Sequence, residues 1–179
     1  MLVAAGVDHE AVAANVDESA VKLSLGEPRS ITLDLAAAKA LDVSRSRPGD
    51  WVIGSDSVVS VDGRLFDKPE DRDQAEQHLR FFSGRLMELS SAVALARGGA
   101  LDWRHAETAR LQVRTLSAGF IRSYLDAEWP EVAYCVGVFR MEGRGVQLFD
   151  SVEGDHFAIL GMPLIALLGA LRERGLIGA

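Results

Sequence analysis

Trp51-Val52-Ile53-Gly54-Ser55-Asp56-Ser57-Val58-Val59 reads as an apolar strand that stops at a small-residue break carrying one carboxylate, then resumes as β-branched sequence. Val52, Ile53, Val58, Val59 and Val61 favour extended backbone, and Gly54 and Ser55 leave room for a ligand to approach the chain closely. Asp56 is therefore the residue to explain. Asp62-Gly63 supplies a hairpin turn and Lys68-Pro69 follows a short return segment, so an acid and a base are expected at one sheet end, a pairing suited to phosphate chemistry. The plainer alternative is a turn aspartate followed by a surface lysine.

Outward from this strand, helices and strands alternate. Met1 to Gly6 read like the last turn of a helix with Gly6 as its stop, and Asp17-Glu18-Ser19 is an acidic turn. Ser30 is expected to cap a helix from Ile31 to Val43, with Leu35 and Ala38 buried and Lys39 inside it. Asp71 begins a helix through Phe82, and Glu88–Ala96 and Leu101–Arg114 form the arms of a hairpin around Arg97-Gly98-Gly99. Ser117 opens a helix closed by Glu128-Trp129-Pro130; Val132 to Arg140 is loop-like, and Val146–Phe149 reads as a short strand. Pro163 starts a last helix whose stripe is Leu164, Leu167, Leu168 and Leu171. The whole reads as an α/β domain over 1–179, a mixed twisted sheet flanked by helices.

With 179 residues, 48% of them hydrophobic and 25% charged, the chain has the balance of a soluble domain with a real core. A net charge of -7 argues against binding a nucleic-acid polymer, while a local cationic pocket for a polyanion stays open. Cys135 is the only cysteine, so no intrachain disulfide forms and nothing requires an oxidising compartment. No basic start resembles a signal peptide and no apolar run spans a bilayer, so no membrane is expected and cytoplasmic residence is the default. A homodimer is compatible with this reading.

Common motifs are absent. There is no G-x-x-x-x-G-K-[ST] loop, and Gly143-Arg144-Gly145 lacks a third glycine and the strand-to-helix context. His9, His78, His105 and His156 are too scattered for zinc, His78 reading as a solvated helix residue, and no G-x-S-x-G elbow supports a serine nucleophile. Carboxylates and lysines remain.

Asn15-Val16-Asp17-Glu18-Ser19, Ala38-Lys39-Ala40, Gly54-Ser55-Asp56-Ser57-Val58, Asp67-Lys68-Pro69, Ser83-Gly84-Arg85, Glu142-Gly143 and Val152-Glu153-Gly154-Asp155 with Gly161-Met162-Pro163-Leu164 follow the order of such motifs in the Maf family, which the chain resembles over nearly its whole length. The resemblance implies an α/β fold like that of inosine triphosphate pyrophosphatases. It also implies hydrolysis of nucleoside triphosphates, including modified or non-canonical ones, to the monophosphate and pyrophosphate. Asp56 matches the family's catalytic acid, expected to activate water or hold metal; Glu18 matches the second carboxylate around the cation, Mg²⁺ or another divalent ion. Lys39 and Lys68 match the phosphate-facing lysines. A triphosphate carries about four negative charges, which compact ammonium groups neutralise, and Mg²⁺ prefers oxygen ligands.

Glu142 and Ser57 match substrate-binding positions. The branch acting on modified guanine nucleotides carries Glu at the place of Glu142, where the thymidine or uridine branch carries Gln. A carboxylate accepts two N–H bonds from a guanine edge, whereas Gln pairs with a base offering donor and acceptor. Ser57 matches neither the Gln of the first branch nor the Thr of the second. The family also begins with a strand and a S-x-S-x-R-R phosphate loop, and this chain starts after them, so a domain lacking both is expected. Two other functions compete: a nucleotide-binding or regulatory protein with weak or lost catalysis, and a phosphatase with Asp56 as nucleophile. The last would require a D-x-D pair, and Val58 stands at the second acid's place.

Overall fold

The computed structural model describes residues 1–18 and 26–178. Among them are α1 (Pro28–Ser46), β1 (Trp51–Val61), β2 (Arg64–Phe66), α2 (Arg72–Phe82), β3 (Leu86–Arg97), β4 (Ala100–Val113), α3 (Ala118–Glu128), β5 (Phe149–Glu153), α4 (His156–Ile159) and α5 (Leu164–Glu173). The strands form one sheet in the order β2-β1-β3-β4-β5. The α/β class stands, but the sheet is open and antiparallel where a mixed one was expected. Two-residue turns at Asp62-Gly63 and Gly98-Gly99, all with positive φ, fold each strand straight back on its neighbour. Contacts divide the chain into two compact units.

The first unit holds Met1–Ser57, Ser91–Glu107 and Asp155–Ala179. Strand alternation on β3 gives it two cores. Val93 and Leu95 pack with Leu164, Leu167 and Leu171 of α5, while Ala92, Ala94 and Ala96 pack with Ala36, Ala37 and Ala40 of α1. Methyl-sized side chains on both partners let α1 lie close to the sheet. This helix starts three residues earlier than its sequence suggests and runs to Ser46, with Glu27 rather than Ser30 at the N-cap. Pro28, with its fixed φ and no N–H to satisfy, provides the first helical position.

The expected interruption at Gly54-Ser55 does not occur: β1 is continuous through eleven residues. A Cβ on Gly54 would lie 2.3 Å from Ala36 O and 2.6 Å from Ala40 N. The room that glycine leaves is filled by the backbone of α1, not kept for a ligand.

The second unit holds Val58–Ser90 and Thr108–Gly154, with Val59, Leu79, Phe82, Leu111, Ile121, Leu125 and Leu148 fully buried. Helices α2 and α3 pack together here. Each begins where a side-chain cap predicts: Asp71 Oδ1 accepts from Gln74 N at 2.7 Å, and Ser117 Oγ from Phe120 N at 3.2 Å. Residues 144–148, expected to enter a strand at Val146, instead form a 3₁₀ turn, and β5 follows at Phe149–Glu153. Its acidic, weakly β-prone sequence is extended because it pairs with the edge of β4, Leu111 opposite Val152 and Arg110 opposite Glu153. His78 is not solvated as expected. Its ring is half-buried edge-on against Phe66 at 5.1 Å, and burial, then the nearby Arg64 charge, push its pKa below the usual histidine value.

Candidate active site

The close seat of α1 on Gly54 fixes what its next turn can reach. Lys39 lies between Ala36 and Ala40, the two residues whose backbones touch Gly54, and Asp56 is two residues along β1 on the face that Gly54 presents. Lys39 Nζ donates to Asp56 Oδ1 at 2.5 Å and stands 2.7 Å from Glu18 Oε1. The Asp56 side chain is only 10% exposed, Lys39 25% and Glu18 42%, so the pair is sheltered on the strand side and opens toward Glu18. Burial works hardest on the Lys39 ammonium and disfavours its charge. Hydrogen bonds and attraction to Asp56 and Glu18 together outweigh it, holding the pKa above the usual lysine value. Two carboxylates thus converge on one lysine ammonium.

The chain reaching Glu18 is itself tied to α1. Asn15 N donates to Asp42 Oδ2 at 2.8 Å, and the Arg47 guanidinium forks onto both carboxylate oxygens of Glu10 at 2.6 and 2.9 Å. Asp42 stands three residues beyond Lys39, so the helix that carries the lysine also steers the segment bringing its second carboxylate.

Ser57 is not part of this cluster. Alternation along β1 turns Ser55 and Ser57 to the opposite face from Asp56. There Ser57 Oγ is 2.8 Å from Ser91 Oγ and donates to Gly161 O at 3.2 Å, while Ser55 Oγ donates to Gly161 O at 3.1 Å and Ala92 O at 3.0 Å. Gly161, at φ +107, makes a turn that side chains rarely adopt, and the two serines hold its carbonyl.

Lys68 and Glu142 belong to the second unit. Both act on Cys135, whose thiol is pushed up by burial and by the Glu142 charge and drawn down by Arg140 and Lys68. Lys68 also lines a small polar cavity with Arg64, Asp67, Gln74 and His78. In the same unit buried Glu128 pairs with Arg140 at 3.5 Å, a contact that sequence reasoning missed. The signal for Glu128 was a carboxylate in the last turn of a helix, where the helix dipole disfavours it and a compensating partner must exist.

Among the described residues no group of three His, Cys, Asp or Glu side chains is placed to hold a metal ion. The Glu18–Asp56 pair is an oxygen-only donor set already gathered about one cation, which suits a hard divalent ion that keeps several of its waters. No helix among the described residues is long and apolar enough to cross a membrane.

Curated relatives match nearly the whole chain, among them the following three. A 7-methyl-GTP pyrophosphatase of Rhizobium meliloti (strain 1021) is 44% identical over 179 residues, covering 98% of this chain and 90% of its own. A 7-methyl-GTP pyrophosphatase of Mesorhizobium japonicum is 43% identical over 181 residues, covering 99% and 91%. A nucleoside triphosphate pyrophosphatase of Nitrobacter hamburgensis is 45% identical over 179 residues, covering 99% and 89%. The family described as Maf-like protein matches residues 1–174, and the seven motifs read in the sequence fall within that match. The chain belongs to the Maf-like protein family.

Proposed function

We propose that this nucleoside triphosphate pyrophosphatase, which hydrolyses its substrate to the monophosphate and pyrophosphate, acts on a modified guanine nucleotide of the 7-methyl-GTP kind. The observation that carries the reaction is the convergence of Asp56 and Glu18 on Lys39 Nζ. Breaking a P–O bond of the α–β bridge by water requires that a proton leave the attacking water and that charge growing on the leaving pyrophosphate be stabilised. Asp56 is the sheltered carboxylate to accept the proton. Lys39 supplies fixed positive charge, and Lys68 is the second lysine proposed to face phosphate. Glu18 and Asp56 would hold a divalent cation, which when bound supplies Lewis-acid polarisation of phosphoryl oxygens.

For the base, the support is Glu142 and the names of two relatives. A 7-methylguanine ring carries positive charge and offers N–H donors on its Watson–Crick edge, and an exposed carboxylate accepts two such bonds and attracts the charge. The test is kcat/KM for 7-methyl-GTP, GTP, UTP and CTP with the wild type and Glu142→Gln. The wild type should prefer 7-methyl-GTP and the variant should lose roughly tenfold or more of that preference, the scale set by one hydrogen-bonded charge. A wild type that prefers UTP, or a preference untouched by the substitution, would overturn the base assignment.

A further inference from the structure

The segment carrying Glu142 is tied on both sides of that residue by one face of one helix. Tyr124 and Glu128 stand four residues apart on α3, and both are buried, at 3% and 7% exposure. On the near side of Glu142, the Tyr124 hydroxyl donates to Val138 O at 2.9 Å. Val138 has φ +55, a left-handed conformation that costs a β-branched residue energy, so its carbonyl is held where an untied chain would not keep it. On the far side, Glu128 Oε1 accepts from Arg144 N at 3.3 Å. Glu128 Oε2 faces Arg140 Nε at 3.5 Å, an ion pair too long for a hydrogen bond, and neither atom has a hydrogen-bond partner. Between these ties and just beyond the second the chain is packed without slack: a Cβ on Gly143 would lie 3.1 Å from Glu128 Oε2, and one on Gly145 would lie 2.5 Å from Arg140 O.

A buried carboxylate in the last turn of a helix is unfavourable twice, through desolvation and through the dipole, and a purely structural helix end would be better served by an apolar side chain. Here the carboxylate accepts the backbone N–H two residues beyond Glu142 and pairs with the arginine two residues before it. We propose that Glu128, assisted by Tyr124, is a positioning residue for nucleotide-base selection: it sets the place of Glu142 without touching the substrate. This rests on the assignment of Glu142 to base recognition made above.

The experiment measures kcat/KM for 7-methyl-GTP and UTP in the wild type, Glu128→Gln, Glu142→Gln and the double variant, with Tm recorded for each. Glu128→Gln keeps the shape but replaces an acceptor and charge. It should cut the 7-methyl-GTP to UTP ratio about tenfold, mostly through a raised KM for 7-methyl-GTP, as expected of a misplaced binding group. In the Glu142→Gln background the same change should move the ratio less than twofold, because there is no carboxylate left to place. If Glu128→Gln fails to fold, Gly143→Ala presses on the carboxylate from the loop side and should give the same selective loss. Equal losses on both substrates, or the same shift of ratio in both backgrounds, would overturn the proposal. A Glu142→Gln protein with wild-type preference would instead overturn the base assignment, and the proposal with it.

Discussion

Gly54→Ala adds one methyl group at the point where α1 rests on β1. That methyl would stand 2.3 Å from Ala36 O, 2.6 Å from Ala40 N and 2.9 Å from Ala40 Cβ, and the first two are backbone atoms that cannot rotate away. Restoring an ordinary contact of 3.4 Å moves the helix by about 1.1 Å. Overpacking of this kind costs about 1–3 kcal/mol, and rigid neighbours place it near the upper end; the lower chain entropy of alanine in the unfolded state offsets only ~0.4–1 kcal/mol. At roughly 2–4 °C per kcal/mol for a chain of this size, Tm should fall by about 4–10 °C. Lys39 rides on the displaced turn, so its ammonium leaves Asp56, and a displacement of ~1 Å at a reacting site costs on the order of 10²-fold in rate. Thermal unfolding followed by circular dichroism and pyrophosphate release measured on the same preparation give both quantities. A Tm within ~1 °C of wild type together with unchanged kcat/KM would show that Gly54 is not needed for helix contact.

Lys39→Met should lower kcat/KM and move the acidic limb of the pH–rate profile to higher pH, since Glu18 and Asp56 would then face each other without the lysine's charge and their repulsion favours protonating one; a limb that stays in place would separate Lys39 from the carboxylates. His78, whose folded-state pKa is lowered from 6.5, binds a proton more weakly folded than unfolded. Its contribution is therefore complete above pH ~6.5 and lost as pH falls through the lowered value, so urea stability should decline on acidification in the wild type and less in His78→Phe. Equal slopes would contradict the burial of that ring.

Local signals carried the elements whose determinants lie within a few residues. The caps at Asp71 and Ser117 and the turns at Asp62-Gly63 and Gly98-Gly99 satisfy backbone groups next to them and fall where the sequence placed them. What escaped depends on partners distant in sequence. Gly54 looked like ligand space because the atoms that fill it come from Ala36 and Ala40, and β5 is extended by β4 rather than by its own residues. In the site, residue patterns alone suggested Asp56 with Lys68, and did not suggest the bond that Asp56 accepts from Lys39. Glu18 and Lys39 became candidates only through the order of the family's motifs, because no spacing rule announces that a helix lysine and a turn glutamate meet one strand aspartate. Glu128 was read as a helix ending, since the burial that gives it a role exists only in the folded chain.

The most direct test of the central claim is ³¹P NMR of 7-methyl-GTP turned over with Mg²⁺ by the wild type and by Asp56→Asn, with nucleotide affinity measured in parallel. Equal amounts of 7-methyl-GMP and pyrophosphate, with no orthophosphate, are expected from the wild type. In Asp56→Asn, where proton acceptance is lost, the rate should fall by about 10²–10⁴-fold at an affinity changed far less. Orthophosphate and a nucleoside diphosphate as products, or a variant as fast as the wild type, would contradict it.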